Sequence, residues 1–418
     1  MSEVCLFNPY DPAFLADPYT TYRTLLNQAP LFKLPADFLQ RSLSDTDWCL
    51  SRYEDVSLAL RDRRFVREWE NAKPAQAQAE AAANPHPTPP PMLQTYFAGM
   101  NSMMLFRDPP AHTRLRTLVN KAFTPIAIES LRPRITDLVE YLLQPLTSGS
   151  QVDLISEFAL PLPVMVIAEM LGVAVADRDL FKSWSLRIAR SIDATLSDPQ
   201  VLQEAAEAYR DLSAYLKDVI ADHRRHPRED ILTNLIRAEE DGERLNEQEL
   251  LSSCIILLVA GHETTTNLIG NGFWTLHRHP DARELWREQP EWSTSAVEEI
   301  LRFEPPVQRT MRYVSDTVQM GDVLLSRGDS VYLLLAAANR DPAVFANPDV
   351  FDITRKPNRH LSFAAGIHFC LGAPLARLEG EIALTRLAQS SLVVDSDVPL
   401  WRNMTVLRGL EALQAHAE

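Results

Sequence analysis

Cys370 is the residue of this 418-residue chain whose type and setting point most directly to chemistry. It lies in the stretch F-A-A-G-I-H-F-C-L-G, Phe363 to Gly372, and a helical run, A-P-L-A-R-L-E-G-E-I-A-L-T-R-L, follows at once. A thiolate at the start of a helix is stabilised by free backbone N–H groups and by the positive end of the helix dipole. Gly366 and Gly372 let the backbone approach a flat cofactor, and Phe363 and Phe369 keep water from the sulfur. This is a recipe for one protein sulfur bonded to one iron. On these residues alone, a buried free cysteine acting as a small hydrophobe stays open.

A second constellation, Gly261-His262-Glu263-Thr264-Thr265-Thr266, interrupts an apolar run that spans Cys254 to Ala260. The run belongs to a helix opened by a capping-box spacing, Asn246 to Glu249. Glycine inside a helix costs about 1 kcal/mol relative to alanine, and threonine hydroxyls compete for the carbonyl one turn back. An acid and a hydroxyl at such a weak point can hold water and pass protons inward. A solvent-facing stripe at the end of the buried portion is the commoner fate of such a pattern. Two further pairs share helix faces, Glu299 with Arg302 and His112 with Arg116. Taken alone, the first is a surface ion pair of a few tenths of a kcal/mol, and the second a solvated basic helix.

These residues must be positioned by a mainly helical scaffold. Apolar periodicity predicts helices over 110–123, 126–146, 156–171, 176–194, 198–226, 246–276, 293–303 and 371–388. Strand-like alternation is confined to about 30–52, 309–334 and 391–412, and no βαβ alternation suggests a dinucleotide-binding domain. Residues 71–92 are rich in Ala and Pro. Their first half is expected to form a short helix and their second half to be extended, as a linker or as a cover over a small-molecule pocket.

With 46% hydrophobic and 23% charged residues, a large core is within reach. No run reaches the roughly 18 apolar residues of a membrane span. The first residues show neither the basic nor the apolar part of a signal peptide. The expectation is a soluble, cytoplasmic protein. Cys5, Cys49, Cys254 and Cys370 lie far apart with no C-x-x-C pair, so neither zinc binding nor a disulfide framework is signalled. A net charge of −15 argues against a nucleic-acid partner.

The loop around Cys370 resembles, nearly position for position, the haem-binding loop of the cytochrome P450 family. Phe363, Gly366, His368, Cys370, Gly372, Leu375, Ala376 and Arg377 fit that pattern, whereas Ala364 stands where the family usually has glycine. Ala260-Gly261-His262-Glu263-Thr264-Thr265 is similar to the family's oxygen-activation sequence. Ordered motifs run from Asp108 to Arg377. The resemblance therefore implies one domain over 1–418, mainly α with small β-sheets in the cytochrome P450 fold, with 71–92 a mobile loop near the substrate entrance.

The resemblance also implies roles. Cys370 would be the axial thiolate of haem b, with Phe363, Gly366 and Gly372 shaping the loop. His112, Arg116, Arg312 and His368 would meet the haem propionates. Thr264 would direct protonation during O₂ activation, Glu263 would belong to the proton relay, and Gly261 would open space for O₂. Glu299, Arg302 and Arg355 would form a structural network holding the segment that leads to Cys370. The implied activity is insertion of one atom of O₂ into an organic substrate. Two electrons would come from a ferredoxin or flavodoxin-type donor with its reductase, with Arg114, Lys121, Arg359 and Arg377 as a basic docking face. The rivals are a peroxide-driven or isomerising haem-thiolate enzyme and a non-catalytic haem sensor. Pocket candidates are Met103, Leu105, Val259, Ala260, Val307 and Thr405. Most are apolar, so a hydrophobic substrate, as in secondary metabolism, is expected.

Overall fold

A helix of 32 residues, Glu247–Arg278, runs through the middle of the chain's helical core. Its start is capped reciprocally: the Glu249 amide donates to the Asn246 side chain at 2.9 Å, and the Asn246 amide donates to the Glu249 carboxylate at 2.9 Å. From Leu250 to Leu276 most of its side chains are buried, so packing rather than propensity holds it straight through its polar interruption. The computed structural model describes residues 7–35, 46–83, 88–147, 151–193, 198–240 and 242–418.

Around the long helix pack Pro161–Met170, Arg178–Asp193 and Ala373–Gln389. The last of these begins three residues after Cys370, and glycines let it approach closely. A Cβ built on Gly272 would lie 2.8 Å from Leu384, and one on Gly380 would lie 3.0 Å from Leu268. A five-stranded sheet flanks the helices, in the order Leu31–Lys33, Asp47–Leu50, Ser330–Leu333, Thr310–Val314, Phe65–Val66. The pair Asp47–Leu50 and Ser330–Leu333 is parallel and the others are antiparallel. A second apolar core beneath this sheet includes Leu60, Val331, Leu361 and Ala365, so the cysteine loop is rooted in sheet as well as in helix.

The expected helices form, with differences at prolines. The predicted 126–146 helix is two, Pro125–Glu129 and Arg132–Leu143, and 156–171 is a π turn, Ile155–Ala159, followed by Pro161–Met170. In each case a proline restarts the helix at its first turn, where its missing N–H costs nothing. Of 71–92, residues 84–87 lie outside the described residues. The alanine-rich half forms the helix Ala75–Ala83, and Pro91 already starts the next helix, Pro91–Asn101, so the extended part is shorter than expected. Among the described residues, no helix is long and apolar enough to cross a membrane.

Candidate functional site

The Cys370 loop is closed by its own backbone. The Cys370 amide donates to the Phe363 carbonyl at 3.0 Å, and the Ala364 amide to the Leu361 carbonyl at 2.8 Å. Burial pushes the Cys370 thiol pKa up, opposed by the Gly372 amide, Arg116, the Ala373 amide and Arg377. The amides belong to the start of Ala373–Gln389, so the helix-terminus setting expected from sequence is present. Cys254 is the contrast: burial in the long helix pushes its thiol up to about 12, and among the described residues no cation opposes that. Cys5 lies outside the described residues. Phe363 and Phe369 meet edge to face at 6.3 Å, and the Arg377 guanidinium lies 4.5 Å from the Phe363 ring.

Ala364 adopts φ 57°, the left-handed conformation that glycine takes freely. The methyl group therefore does not expel the loop from the glycine-type path; the surrounding bonds hold alanine there. An L-residue in this region costs roughly 1–2 kcal/mol. Ala364→Gly is expected to raise stability by about 1 kcal/mol, after allowing for glycine's greater freedom in the unfolded chain. Denaturant midpoints of the two proteins measure it, and a lower midpoint for the glycine variant would refute the strain argument.

Beside this loop lies a cradle of positive and imidazole groups. The rings of His112 and His368 lie 4.3 Å apart, and His112 Nδ1 and His368 Nε2 are buried with no hydrogen-bond partner among the described residues. Arg116 donates to the Phe369 carbonyl at 2.8 Å, and Arg312 to the Met311 carbonyl at 2.8 Å. Arg67, which the sequence reading did not single out, joins them, donating to the carbonyls of Met311 at 2.7 Å and Leu105 at 3.2 Å. Asp108 is spent on positioning: its carboxylate accepts the Arg67 and Glu68 amides and the Asn71 side chain, each at 2.9 Å.

Among the described residues, none of Arg67, Arg116 and Arg312 has a carboxylate within ion-pair distance. The electrostatics record this imbalance. Burial, then the neighbouring Arg67, brings Arg312 down to about 9. Burial, then Arg312, His112, Arg67 and Arg116, brings His368 down to about 2. Buried cations without counter-charge are costly. A group carrying carboxylates beside the Cys370 sulfur would satisfy the guanidiniums and both orphaned imidazole nitrogens. The two propionates of haem meet that description, so the residues present fit the cofactor.

On the long helix, Ala260 is exposed although Val259 and His262 beside it are buried, and Thr264, one turn on, is partly exposed. These two, four residues apart, share a face of the helix. Thr264 and Thr265 donate back to the carbonyls of Ala260 at 2.8 Å and Gly261 at 2.9 Å, the one-turn bonding expected of threonine. The room that Gly261 leaves is toward the neighbouring helix, where a Cβ would meet Ile167 at 3.5 Å. Glu263 is buried, not a solvated stripe, and is ion-paired with Arg402. Arg402 was not visible as a candidate in the sequence.

Glu299, Arg302 and Arg355 meet as expected. Both Glu299 and Arg302 are fully buried, and Arg302 donates Nε and Nη2 to the carboxylate at 2.8 Å each. Of the pocket candidates, Met103 and Val259 lie in the main apolar core, Val307 bridges to Leu407, and Leu105 is exposed. The Thr405 hydroxyl accepts from Arg309 Nη2 at 2.7 Å, so it is engaged within the chain. Of the basic residues expected to dock a carrier, Arg114 pairs with Glu243 at 3.3 Å and with Glu249, and Arg377 pairs with Glu298 at 2.6 Å. Their charges are matched internally.

A family profile described as Cytochrome P450 matches residues 65–290 and 291–399. Cytochrome P450 107B1 of Saccharopolyspora erythraea is 41% identical over 410 residues, 97% of this chain and 96% of that protein. Vitamin D(3) 25-hydroxylase of Pseudonocardia autotrophica is 39% identical over 411 residues, 97% of this chain and 94% of that protein. Among solved structures, P450BioI in complex with an acyl carrier protein bearing hexadec-9Z-enoic acid aligns with TM-score 0.87. That pair is 39% identical and covers 97% of this chain and 99% of the other.

Proposed function

The chain belongs to the cytochrome P450 family, and from that premise we propose that Cys370 ligates its haem and that Glu263 and Thr264 handle protons in the oxidation of a hydrophobic substrate. The family is one of haem-thiolate monooxygenases, so the oxidoreductase activity and the cofactor follow from membership. When bound, the haem supplies the site at which O₂ is reduced and substrate oxidised. Gly372 and Ala373 offer the Cys370 sulfur their amides. His112, Arg116, Arg312, His368 and Arg67 hold the propionates by charge-assisted bonds. Thr264, partly exposed beside Ala260, directs protonation, and the neighbouring Glu263 belongs to the proton relay.

The observation that carries this reading is the pairing of a buried, ion-paired Glu263 with a partly exposed Thr264 on the next residue of the helix. A haem sensor has no use for that arrangement. Thr264→Ala is expected to leave electron consumption running while product falls by on the order of tenfold or more. The comparison of reductant consumed with product formed measures it; equal coupling in both proteins would reject the role. Turnover with H₂O₂ alone that matched turnover with reductase and O₂ would favour the peroxide-driven alternative. A carbon-monoxide difference spectrum of the reduced protein, together with Cys370→Ser, tests the ligand.

The reading extends to a single catalytic unit over 1–418, acting in the cytoplasm, with 71–92 near the substrate entrance. Two electrons come from a separate ferredoxin or flavodoxin-type carrier. The substrate is a mostly hydrophobic molecule such as a terpenoid, fatty acyl chain or polyketide. That range is supported by relatives named for vitamin D(3) hydroxylation and a fatty-acyl carrier complex. Spin-state titration against compounds of these three classes distinguishes them.

A further inference from the structure

Arg67 and Arg312 donate to the same oxygen, the Met311 carbonyl, at 2.7 and 2.8 Å. Two guanidiniums therefore stand side by side in the cradle, and Arg116 is the third. Two propionates offset two positive charges, so one guanidinium is in excess when haem is bound. Arg67 is held by neutral groups. Its Nε donates to the Leu105 carbonyl at 3.2 Å, and its guanidinium lies 5.3 Å from the centre of the Phe106 ring.

The buried acid beside it, Asp108, takes its backbone and leaves the guanidinium free. Asp108 Oδ1 accepts the Arg67 amide, and Oδ2 accepts the Glu68 amide and Asn71 Nδ2, each at 2.9 Å. The bonding is reciprocal: Glu68 Oε2 accepts the Asp108 amide at 2.6 Å, while its other oxygen pairs with Arg107 at 3.0 Å. The Asp108 carbonyl accepts the His112 amide at 2.9 Å, so this box is fastened to the helix Ala111–Asn120, which carries His112 and Arg116. On its other side it adjoins the strand Phe65–Val66, whose Val66 is paired with Tyr313, next to Arg312.

We propose that Asp108 is a positioning residue for electron uptake: by holding the backbone of Arg67 it keeps a third, unneutralised guanidinium in the propionate cradle, and this surplus charge raises the reduction potential of the bound haem. The proposal rests on the placement of the propionates given above. Reduction brings one electron from the carrier to the ferric haem, and no bond is made or broken. The site becomes more negative by one unit, which a fixed positive charge nearby favours. The two effects open to Asp108 differ in sign. As a bare negative charge it would lower the potential, and its removal would raise it. As the holder of Arg67 it raises the potential, and its removal lowers it. Asparagine cannot take over, because its amide N–H groups would face donors that a carboxylate oxygen accepts, so the 67–71 turn must open.

The test is a redox titration of the haem-loaded protein, with the reduced carbon-monoxide spectrum recorded for every variant. Arg67→Gln should shift the ferric–ferrous equilibrium about tenfold toward ferric, or about 59 mV for one electron. Asp108→Asn should lower the potential by a comparable amount, and in the R67Q background the same change should no longer lower it. Asp108→Glu keeps the charge but displaces the carboxylate by one methylene, so it carries the comparison should the asparagine variant fold poorly. Its potential should fall although its charge is that of the parent. A higher potential in D108N means that Asp108 acts as a bare charge, and an equal fall in both backgrounds means that it acts without Arg67. Either result overturns the proposal, as does a parent-like potential in R67Q or D108E. If the parent itself shows no thiolate spectrum, the reading of Cys370 fails first and takes the proposal with it.

Discussion

Glu299→Ala is expected to destabilise the protein by about 3–5 kcal/mol, the cost of leaving buried charges without their partner, and to strip it of bound haem. One carboxylate here is shared by two guanidiniums. It accepts Arg302 Nε and Nη2 at 2.8 Å each, Arg355 Nε at 3.2 Å, Asn358 Nδ2 at 3.1 Å and the Asp352 amide at 2.9 Å. The arginines in turn tie down the following loop. Arg302 donates to the carbonyls of Asn339 at 3.0 Å and Pro348 at 2.8 Å, and Arg355 to that of Ala346 at 2.7 Å.

From Asn339 the chain of bonds continues into the cysteine loop. Its side chain accepts the Leu361 amide at 2.7 Å and donates to Ser362 Oγ at 2.8 Å, and Ser362 Oγ donates to the Leu301 carbonyl at 2.6 Å. Loss of Glu299 should therefore be felt at Cys370 although the two do not touch. Denaturant melts of the purified protein and the haem-to-protein ratio measure the two effects. The matched control is Arg134→Ala, which breaks a partly exposed ion pair with Glu169 and should cost no more than about 1 kcal/mol. Equal costs for the two variants would refute the network's special standing.

The contrast explains what could be read from the sequence. Glu299 and Arg302 were legible as a pair because a helix puts residues three apart on one face. That they are buried, and that Asp352 and Asn358 complete the shell, depends on a loop some fifty residues downstream. The Cys370 loop was legible for the opposite reason: its bonds are local, Phe363 to Cys370 and Leu361 to Ala364. Arg67 was missed because it lies between Phe65–Val66 and a short helix, in a stretch with several other arginines. Only the Asp108 carboxylate, folded onto its backbone amide, selects it. Arg402 was missed because it meets Glu263 across 139 positions, through a C-terminal segment whose residues R-N-M-T-V carry no pattern of their own. Helices were legible where apolar periodicity ran long. Their boundaries slipped where Pro133 and Pro161 restart a helix that hydrophobic pattern alone would have continued.

Two neighbouring positions of the cysteine loop have left-handed backbone, and they should respond to a methyl group in opposite ways. Ala364 already carries one at φ 57°, packed against the core beneath the sheet. Gly366, at φ 69°, has no room: a Cβ there would lie 2.3 Å from the Leu60 carbonyl oxygen and 3.2 Å from Arg61 Cα. Both obstacles are backbone at the end of the helix Tyr53–Arg61, and Leu60 is buried in the same core as Leu361 and Ala365. Neither side can yield by rotating a side chain. Gly366 is thus demanded by the protein itself, before any cofactor is considered, whereas a Cβ on Gly372 would meet no protein atom within 4 Å.

Gly366→Ala is therefore expected to cost about 3 kcal/mol or more, the left-handed penalty of roughly 1–2 kcal/mol plus the strain of overpacking. The loop should relieve the clash by moving away from the helix Tyr53–Arg61, carrying His368 out of the cradle and Cys370 off the amides of Gly372 and Ala373. The reduced carbon-monoxide spectrum should lose its thiolate character in step with the fall in denaturant midpoint. Gly372→Ala, in the same loop but facing no protein atom, should keep the fold and perturb at most the haem spectrum. A Gly366→Ala protein with the parent's midpoint and thiolate spectrum would show that the loop is not pinned at Leu60, and the cysteine would then owe its position to the helix Ala373–Gln389 alone.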